Sequence, residues 1–411
     1  MARDGIAETG RAAGPLFVTV LASITLIGPL SLHLFFPATP AVKAAFAVSD
    51  ALAGLTMSVP LFTMAAFTLV YGSLSDRYGR RPVLLAGIAL FVAGSAISAA
   101  AGSIWVLIAG RLVQAAGGAC GMTLARAIAR DVYGTDRLVK VIAYLLMAYA
   151  LGPMVAPPIG GLLVDLSGWR SVLVFATAVG IVLAALSFAV IRESHGGRGA
   201  GAARGSLAAD YRRLFGDARF TAFVLQSGLC SGAFFTMAIA SAFLMKEFLG
   251  RPAAEYGLWF MLFPAGYWTG NLVASRLSGR IAIETMVLAG ATILILTAAG
   301  QAALMLGGYV TPLAIFIPGL LVTFAQGLAL PNAQAGAIGG ARELAGTAAG
   351  IGAFMQMFAA GAFTQLYGIL ADGTPIPMVI TVSASAALSF AAGIVPFALA
   401  RRSGRVAAGS R

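Results

Sequence analysis

The sequence predicts an all-α integral membrane protein, with twelve transmembrane helices in two related six-helix halves. Three observations carry that prediction. Hydrophobic residues make up 59% of the 411 and charged residues 10%, with a mean hydropathy of +0.91, whereas a soluble domain carries about 25% charged residues. Long uncharged runs alternate with short charged turns, and about 20 apolar residues at 1.5 Å rise span roughly 30 Å of hydrocarbon. One longer polar segment, residues 192–217, rich in Gly and Arg, separates an N-terminal half (1–191) from a C-terminal half (218–411).

The elements follow in order. Met1 to Pro15 is polar, and the apolar run after it exceeds a signal peptide's core, which predicts a retained first helix over about 16–38. Helices 2 and 3 are expected at about 52–73 and 83–101, on either side of a charged island. Helices 4, 5 and 6 are expected at about 104–125, 141–164 and up to 191, with Arg126, Arg130, Arg137 and Lys140 in a basic loop between helices 4 and 5. After the polar segment, helices 7 to 12 are expected at about 220–245, 254–275, 284–306, 310–330, 346–370 and 377–400. Gly and Ala at small-xxx-small spacing suit close helix packing in lipid.

The net charge of +12 would suit nucleic acid, but the charges lie between apolar runs, so no nucleic-acid partner is expected. Of 27 Lys and Arg, 22 fall on one side of the predicted topology, and the positive-inside rule then puts both termini in the cytoplasm of a bacterial inner membrane. Cys120 and Cys230 lie in apolar stretches and read as small hydrophobes. Neither a metal site nor a cofactor is expected.

The charged island is Gly72-Ser-Leu-Ser-Asp76-Arg77-Tyr-Gly79-Arg80-Arg81-Pro82. It resembles the signature loop between helices 2 and 3 of the major facilitator superfamily of transporters. Further stretches agree: Arg111-Leu-Val-Gln114 in helix 4, and Gly152-x-x-x-Ala156-Pro157-x-x-Gly160-Gly161 in helix 5. Phe36-Pro37-Ala38-Thr39-Pro40, Pro331-Asn332-Ala333 and Ala345-Gly346-Thr347-Ala348 are similar to the bicyclomycin and chloramphenicol resistance branch of the drug:proton antiporters. In the second half Arg276-Leu-Ser-Gly279-Arg280 echoes the island faintly, as expected of two related halves that rock about a central site.

The resemblance implies a conformational latch formed by Gly72, Asp76, Arg77, Gly79, Arg80 and Asp131. In it Asp76 packs on the positive end of helix 11, and Arg80 pairs with Asp131. In helix 5, Gly152, Gly160 and Gly161 thin the helix for close packing, and Pro157 with Pro158 bends it. The resemblance also implies a monomer in the lipid bilayer that exports a small-molecule substrate by alternating access, coupled to protons.

One departure matters. All fifteen Asp and Glu map to termini, loops or helix ends. Where the related branch carries an Asp in helix 1, this chain has His33. His33 and Arg111 are the two ionisable side chains, Tyr aside, expected within the hydrocarbon, at depths of about 8 to 13 Å and 10 Å from one surface. Such residues are expensive to bury and point to function. If they face one another, the fixed charge of Arg111 opposes a second charge on His33, so proton coupling does not carry over automatically. A cavity with a fixed positive charge and no carboxylate predicts a neutral or anionic amphipathic substrate, lined by Phe35, Gln114, Gln226, Phe234 and Gln356.

Other classes are weaker. Two histidines, His33 and His195, supply no cluster for an embedded enzyme, and no His-Glu-x-x-His or nucleotide-binding P-loop occurs. Uptake or exchange of a small anionic metabolite is the alternative within transport, and a receptor or sensor on a transporter scaffold the alternative outside it.

Overall fold

The computed structural model describes residues 14–194, 207–340 and 342–402. The polar N-terminus, residues 195–206 of the expected linker and the basic C-terminus lie outside the described residues.

Among the described residues eleven helices are long and apolar enough to cross a membrane. They are α1 (Pro15–Phe46), α2 (Asp50–Tyr78), α3 (Arg80–Ala99), α4 (Ile104–Gly134), α5 (Lys140–Ser167), α6 (Trp169–Val190), α7 (Ala218–Phe248), α9 (Ile283–Leu306), α10 (Pro312–Gly339), α11 (Ala345–Leu370) and α12 (Ile376–Arg402). The twelfth crossing, α8, is built from Ala253–Phe260 and Leu262–Leu277 with a turn at Met261. The break has a local cause. Pro264 lacks the N–H that the Phe260 carbonyl would need, so the ladder lapses one turn before it. The sequence expectation of twelve crossings holds.

Helix ends differ more. The charged island is not an open loop: α2 runs to Tyr78 and α3 starts at Arg80, leaving Gly79 (φ 95°) as the junction. Gly72 and Asp76 are therefore helical, a correction to the loop reading. The expected basic loop after helix 4 is also helical as far as Gly134 (φ 59°). Hydropathy marks where lipid ends, whereas a helix needs only its own hydrogen-bond ladder and can continue past the apolar run. Within the expected linker, Leu207–Phe215 form a short helix.

α1 is irregular. It turns at Leu26, and a 3-10 turn, Phe36–Ala38, separates Ile27–His33 from Thr39–Phe46. Pro29 and Pro37 each remove an N–H from the ladder. α7 is the most enclosed span, with α11 and α12 against it, while α8 and α9 pack on α10. Between the halves, α2 packs along α11, α5 along α8, and α1 reaches α7. Below, the corner end is the end holding Gly79, and the far end is the opposite one.

Candidate functional site

At the corner end the signature side chains form a compact ion cluster inside the N-terminal half. Arg80 is 2% exposed; its Nε donates to Asp131 at 2.9 Å, and its Nη1 reaches Asp76 and the Ser75 hydroxyl, each at 2.6 Å. Arg77 lies over the Tyr78 ring at 5.3 Å. Glu193, just past α6, accepts from the backbone N–H groups of Arg80 (2.9 Å) and Arg81 (3.1 Å). It supplies the cap that Gly79 cannot, since glycine has no side chain. A Cβ on Gly79 would stand 2.6 Å from the Glu193 carboxylate. The sequence reading missed Glu193 because the cap comes from more than a hundred residues downstream. Gly72, by contrast, has open space around it.

The interior arginine is sealed. Arg111 is 1% exposed and donates from Nε to the Thr56 carbonyl (3.1 Å), and from Nη1 to the Ser31 carbonyl (2.7 Å) and Gln114 Oε1 (2.5 Å). Nη2 contacts Met57 Sδ at 3.6 Å, and the guanidinium lies 4.3 Å from the Phe35 ring centroid. Gln114 passes the network on, donating to Ser95 Oγ at 2.7 Å. Both carbonyls are orphans of local sequence. Pro60 deprives Thr56 of its helical partner, and the Phe35 N–H turns to the Leu32 carbonyl (3.2 Å) instead of Ser31.

His33 has different surroundings. It is buried, with Nδ1 2.8 Å from the Pro29 carbonyl, which only accepts, so the hydrogen sits on Nδ1. Around it stand Phe36 (5.4 Å between centroids), Phe234 (6.4 Å), Phe235 (6.1 Å) and Phe260 (6.3 Å). His33 thus meets α7 and α8 of the other half, while Arg111 is held by α1, α2 and α4. The sequence left open whether the two face one another; in the structure they have different partners, the irregular α1 presenting the Ser31 carbonyl and Phe35 to Arg111 and His33 to the other half.

The proposed lining residues divide. Phe35 packs on Arg111, Gln114 belongs to the Arg111 network, and Phe234 belongs to the aromatic group at the half interface. Gln226 is fully buried against α12, its Nε2 3.4 Å from Ser389 Oγ. Gln356 is buried in α11 with its Nε2 unpartnered.

The α5 motif closes the far end. A Cβ on Gly152 would meet Pro29 of α1, one on Gly160 would overlap the Leu34 carbonyl, and one on Gly161 would overlap the Ala253 carbonyl of α8. Pro157 in turn sits on Gly257 of α8. One turn beyond, Asp165 accepts from the backbone N–H groups of Ala253 (3.1 Å) and Ala254 (2.7 Å). α8 begins at Pro252, which has no capping side chain, so Asp165 of the other half caps it. Two signals for this were in the sequence: a helix start without its own cap, and an acid at the C-terminal end of α5, where the helix dipole disfavours it. A second tie crosses at the same end, where Lys43 bonds Asp50 and Glu247, each at 2.8 Å. Between these ties lies a cavity of about 270 Å³ bordered by Pro37, Lys246, Arg251 and Tyr256.

Two pseudo-equivalent helical halves, a signature ion cluster at one end and cross-half ties at the other define a multi-pass membrane protein of transporter architecture. Residues 21–365 match the model of the Major Facilitator Superfamily, and the chain belongs to that family of membrane transporters. It is 28% identical over 354 residues to Multidrug resistance protein D of Escherichia coli (strain K12), covering 85% of this chain and 88% of that one. It is 26% identical over 386 residues to a Bicyclomycin resistance protein homolog of Haemophilus influenzae (91% and 94%). Among solved structures, a bacterial homologue of the lysosomal transporter Spinster, inward-facing and occupied, superposes with a TM-score of 0.76 at 15% identity, over 94% of this chain and 96% of that chain. A D-xylose-proton symporter gives 0.75 at 12% identity (93% and 97%). At these identities the structures speak for the fold.

Proposed function

We infer that this chain is a drug-type exporter of the inner membrane, moving small amphipathic compounds by alternating access with protons as the driving ion. The relatives named for multidrug and bicyclomycin resistance, matched over most of both chains, support the substrate type. The observation that carries the mechanism is the asymmetry of the two ends. At the far end Asp165 and Lys43 tie one half to the other, whereas among the described residues Arg80 at the corner pairs with Asp131, Asp76 and Ser75 of its own half. With the positive-inside orientation, this is a state closed outside and poised to open toward the cytoplasm. The far-end ties are a few charge-assisted hydrogen bonds, of the size a bound substrate and a proton can outweigh.

The sealing of Arg111 changes the basis of selectivity. Its charge is spent on carbonyls of the fold, so it does not supply the electropositive lining expected from sequence. For the proton reading His33 is the group to test, being a buried imidazole at the interface between the halves.

The test is drug susceptibility of an efflux-deficient bacterium expressing the chain, with proteoliposome transport under an imposed pH gradient alongside. Protection by the wild type, and transport that collapses when the gradient is dissipated, are the expected results. No protection at normal expression would defeat the export reading, and gradient-independent transport would defeat the proton reading.

A further inference from the structure

The cavity between the far-end ties has walls from both halves. Pro37 and Pro40 of α1 and Asp165 of α5 border it from one half; Met245 and Lys246 of α7, Arg251, and Tyr256 of α8 border it from the other. Its volume of about 270 Å³ lies just below the range of about 300 to 1,000 Å³ usual for ligand sites. It suits a compact molecule.

The lining divides into a carbon part and a charged part. The two prolines and Met245 offer no donor, and the Tyr256 hydroxyl already donates to the Ala238 carbonyl at 2.8 Å, so Tyr256 brings its ring. Lys246 and Arg251 are exposed at the rim. The carboxylates of this end are engaged. Asp165 has both oxygens on the Ala253 and Ala254 amides, and Asp50 and Glu247 hold Lys43. Glu255 accepts from the Trp259 indole at 3.4 Å and meets Arg251 only at 3.7 Å, while Asp372 is held by Thr374. Among the described residues the Lys246 ammonium therefore has neither an ion pair nor a hydrogen bond.

Local structure sets Lys246 at this border. α7 ends in a π-turn over Leu244–Phe248, closed by the Leu249 N–H on the Leu244 carbonyl at 2.9 Å. In that wide turn two neighbours take different tasks: Glu247 reaches Lys43, and Lys246 borders the cavity. Such turns are frequent at functional sites.

An unpaired ammonium and a loosely held guanidinium over a carbon-lined hollow select an amphipathic anion. Because the walls come from both halves, the hollow keeps this form only while α5 and α8 stay together. A ligand that needs both walls binds this state and by linkage favours it. We propose that the far-end cavity is a regulatory site for a small amphipathic carboxylate, whose binding bridges the halves and holds the far end shut. Binding rests on the cavity alone; the holding effect rests on the alternating-access reading, and two measurements keep them apart.

In the first, phenylacetate, neutral phenylacetamide and cationic 2-phenylethylamine are titrated onto the purified full chain in detergent and followed by ligand-observed NMR. Wild type, Lys246→Gln and Lys246→Arg are compared, with thermal midpoints to confirm folding. The wild type is expected to prefer phenylacetate. Lys246→Gln should weaken phenylacetate roughly fivefold and leave the amide unchanged, whereas Lys246→Arg should keep the preference. Equal affinity for acid and amide, a preference for the amine, or an undiminished acid preference in Lys246→Gln would each overturn the site.

The second uses Ser58, which is buried and does not border the cavity. Its hydroxyl donates across the halves to Gln365 Oε1 of α11 at 2.7 Å, so a cysteine there is reached when α2 and α11 part. In a chain without Cys120 and Cys230, phenylacetate at ten times the wild-type Kd should slow maleimide labelling of Ser58→Cys roughly tenfold, and only about threefold when Lys246→Gln is added. Labelling that bound phenylacetate leaves unchanged would overturn the bridging role. Ser58→Cys that never labels would fail the alternating-access reading, and the bridging role with it, while the site stands on its binding.

Discussion

The Arg111 guanidinium donates through Nε to the Thr56 carbonyl at 3.1 Å, the carbonyl that Pro60 leaves without a helical partner. A charged side chain and a helix defect thus satisfy each other inside the membrane. Burying either alone would cost several kcal/mol, and together, with the Ser31 carbonyl, Gln114 and the Phe35 ring, they form a closed polar knot joining α1, α2 and α4.

Removing the arginine should therefore damage the fold before it changes selectivity. Arg111→Ala is expected to cost about 3 kcal/mol or more, because carbonyls and an amide lose a charged partner. It should appear as a lowered thermal midpoint of the purified protein and reduced yield. Arg111→Lys should rescue only in part, since an ammonium cannot present the fork. A normal midpoint in Arg111→Ala with an altered drug spectrum would return the charge to the cavity.

The Asp165 cap on α8 should hold the far end shut. Asp165→Asn keeps an acceptor but loses the charge, and Asp165→Ala loses both, so opening should increase in that order. In a background without Cys120 and Cys230, Ala41→Cys borders the far-end cavity. Maleimide labelling of that cysteine should speed up several-fold in Asp165→Ala. Unchanged labelling would mean that the glycine contacts suffice.

Two glycines of the sequence motifs should behave oppositely. Gly161→Ala pushes a methyl into the Ala253 carbonyl and should part α5 from α8 at the far end, abolishing protection in the susceptibility assay. Gly72→Ala meets open space within a helix and should be neutral in transport and more stable by about 0.5 to 1 kcal/mol. Loss of transport in Gly72→Ala with intact folding would show that the corner end needs this surface bare in another state.

At the corner, Asp131→Asn should impair transport, and exchanging the charges (Arg80→Asp with Asp131→Arg) should not restore it. Arg80 also serves Asp76 and Ser75, and an arginine at position 131 cannot reach them equally. Full recovery by the swap would reduce the cluster to a simple pair.

Much of this was legible in advance. Apolar runs marked the crossings because the need to stay in lipid is local to each segment, and the Gly79-Arg80-Asp131 corner was legible from its wording. Arg111 was legible as an intramembrane charge, yet its partners depend on Pro60, fifty-one residues earlier, and on a 3-10 turn at Phe35. Arg126 was misread as loop because hydropathy ends before the helix does.

A membrane protein of two six-helix halves with the family's signature is written in the chain locally, since hydropathy and turn residues act over a few neighbours. The bundle as a whole set the partners that seal Arg111, the cap that Asp165 places on a helix of the opposite half, and the ties of Asp165 and Lys43 that join the halves at the far end. Those outcomes turn on how each helix is rotated about its axis and on separations of a few ångströms between helices. Such quantities are fixed by the packing of the whole bundle, and no single stretch of chain encodes them.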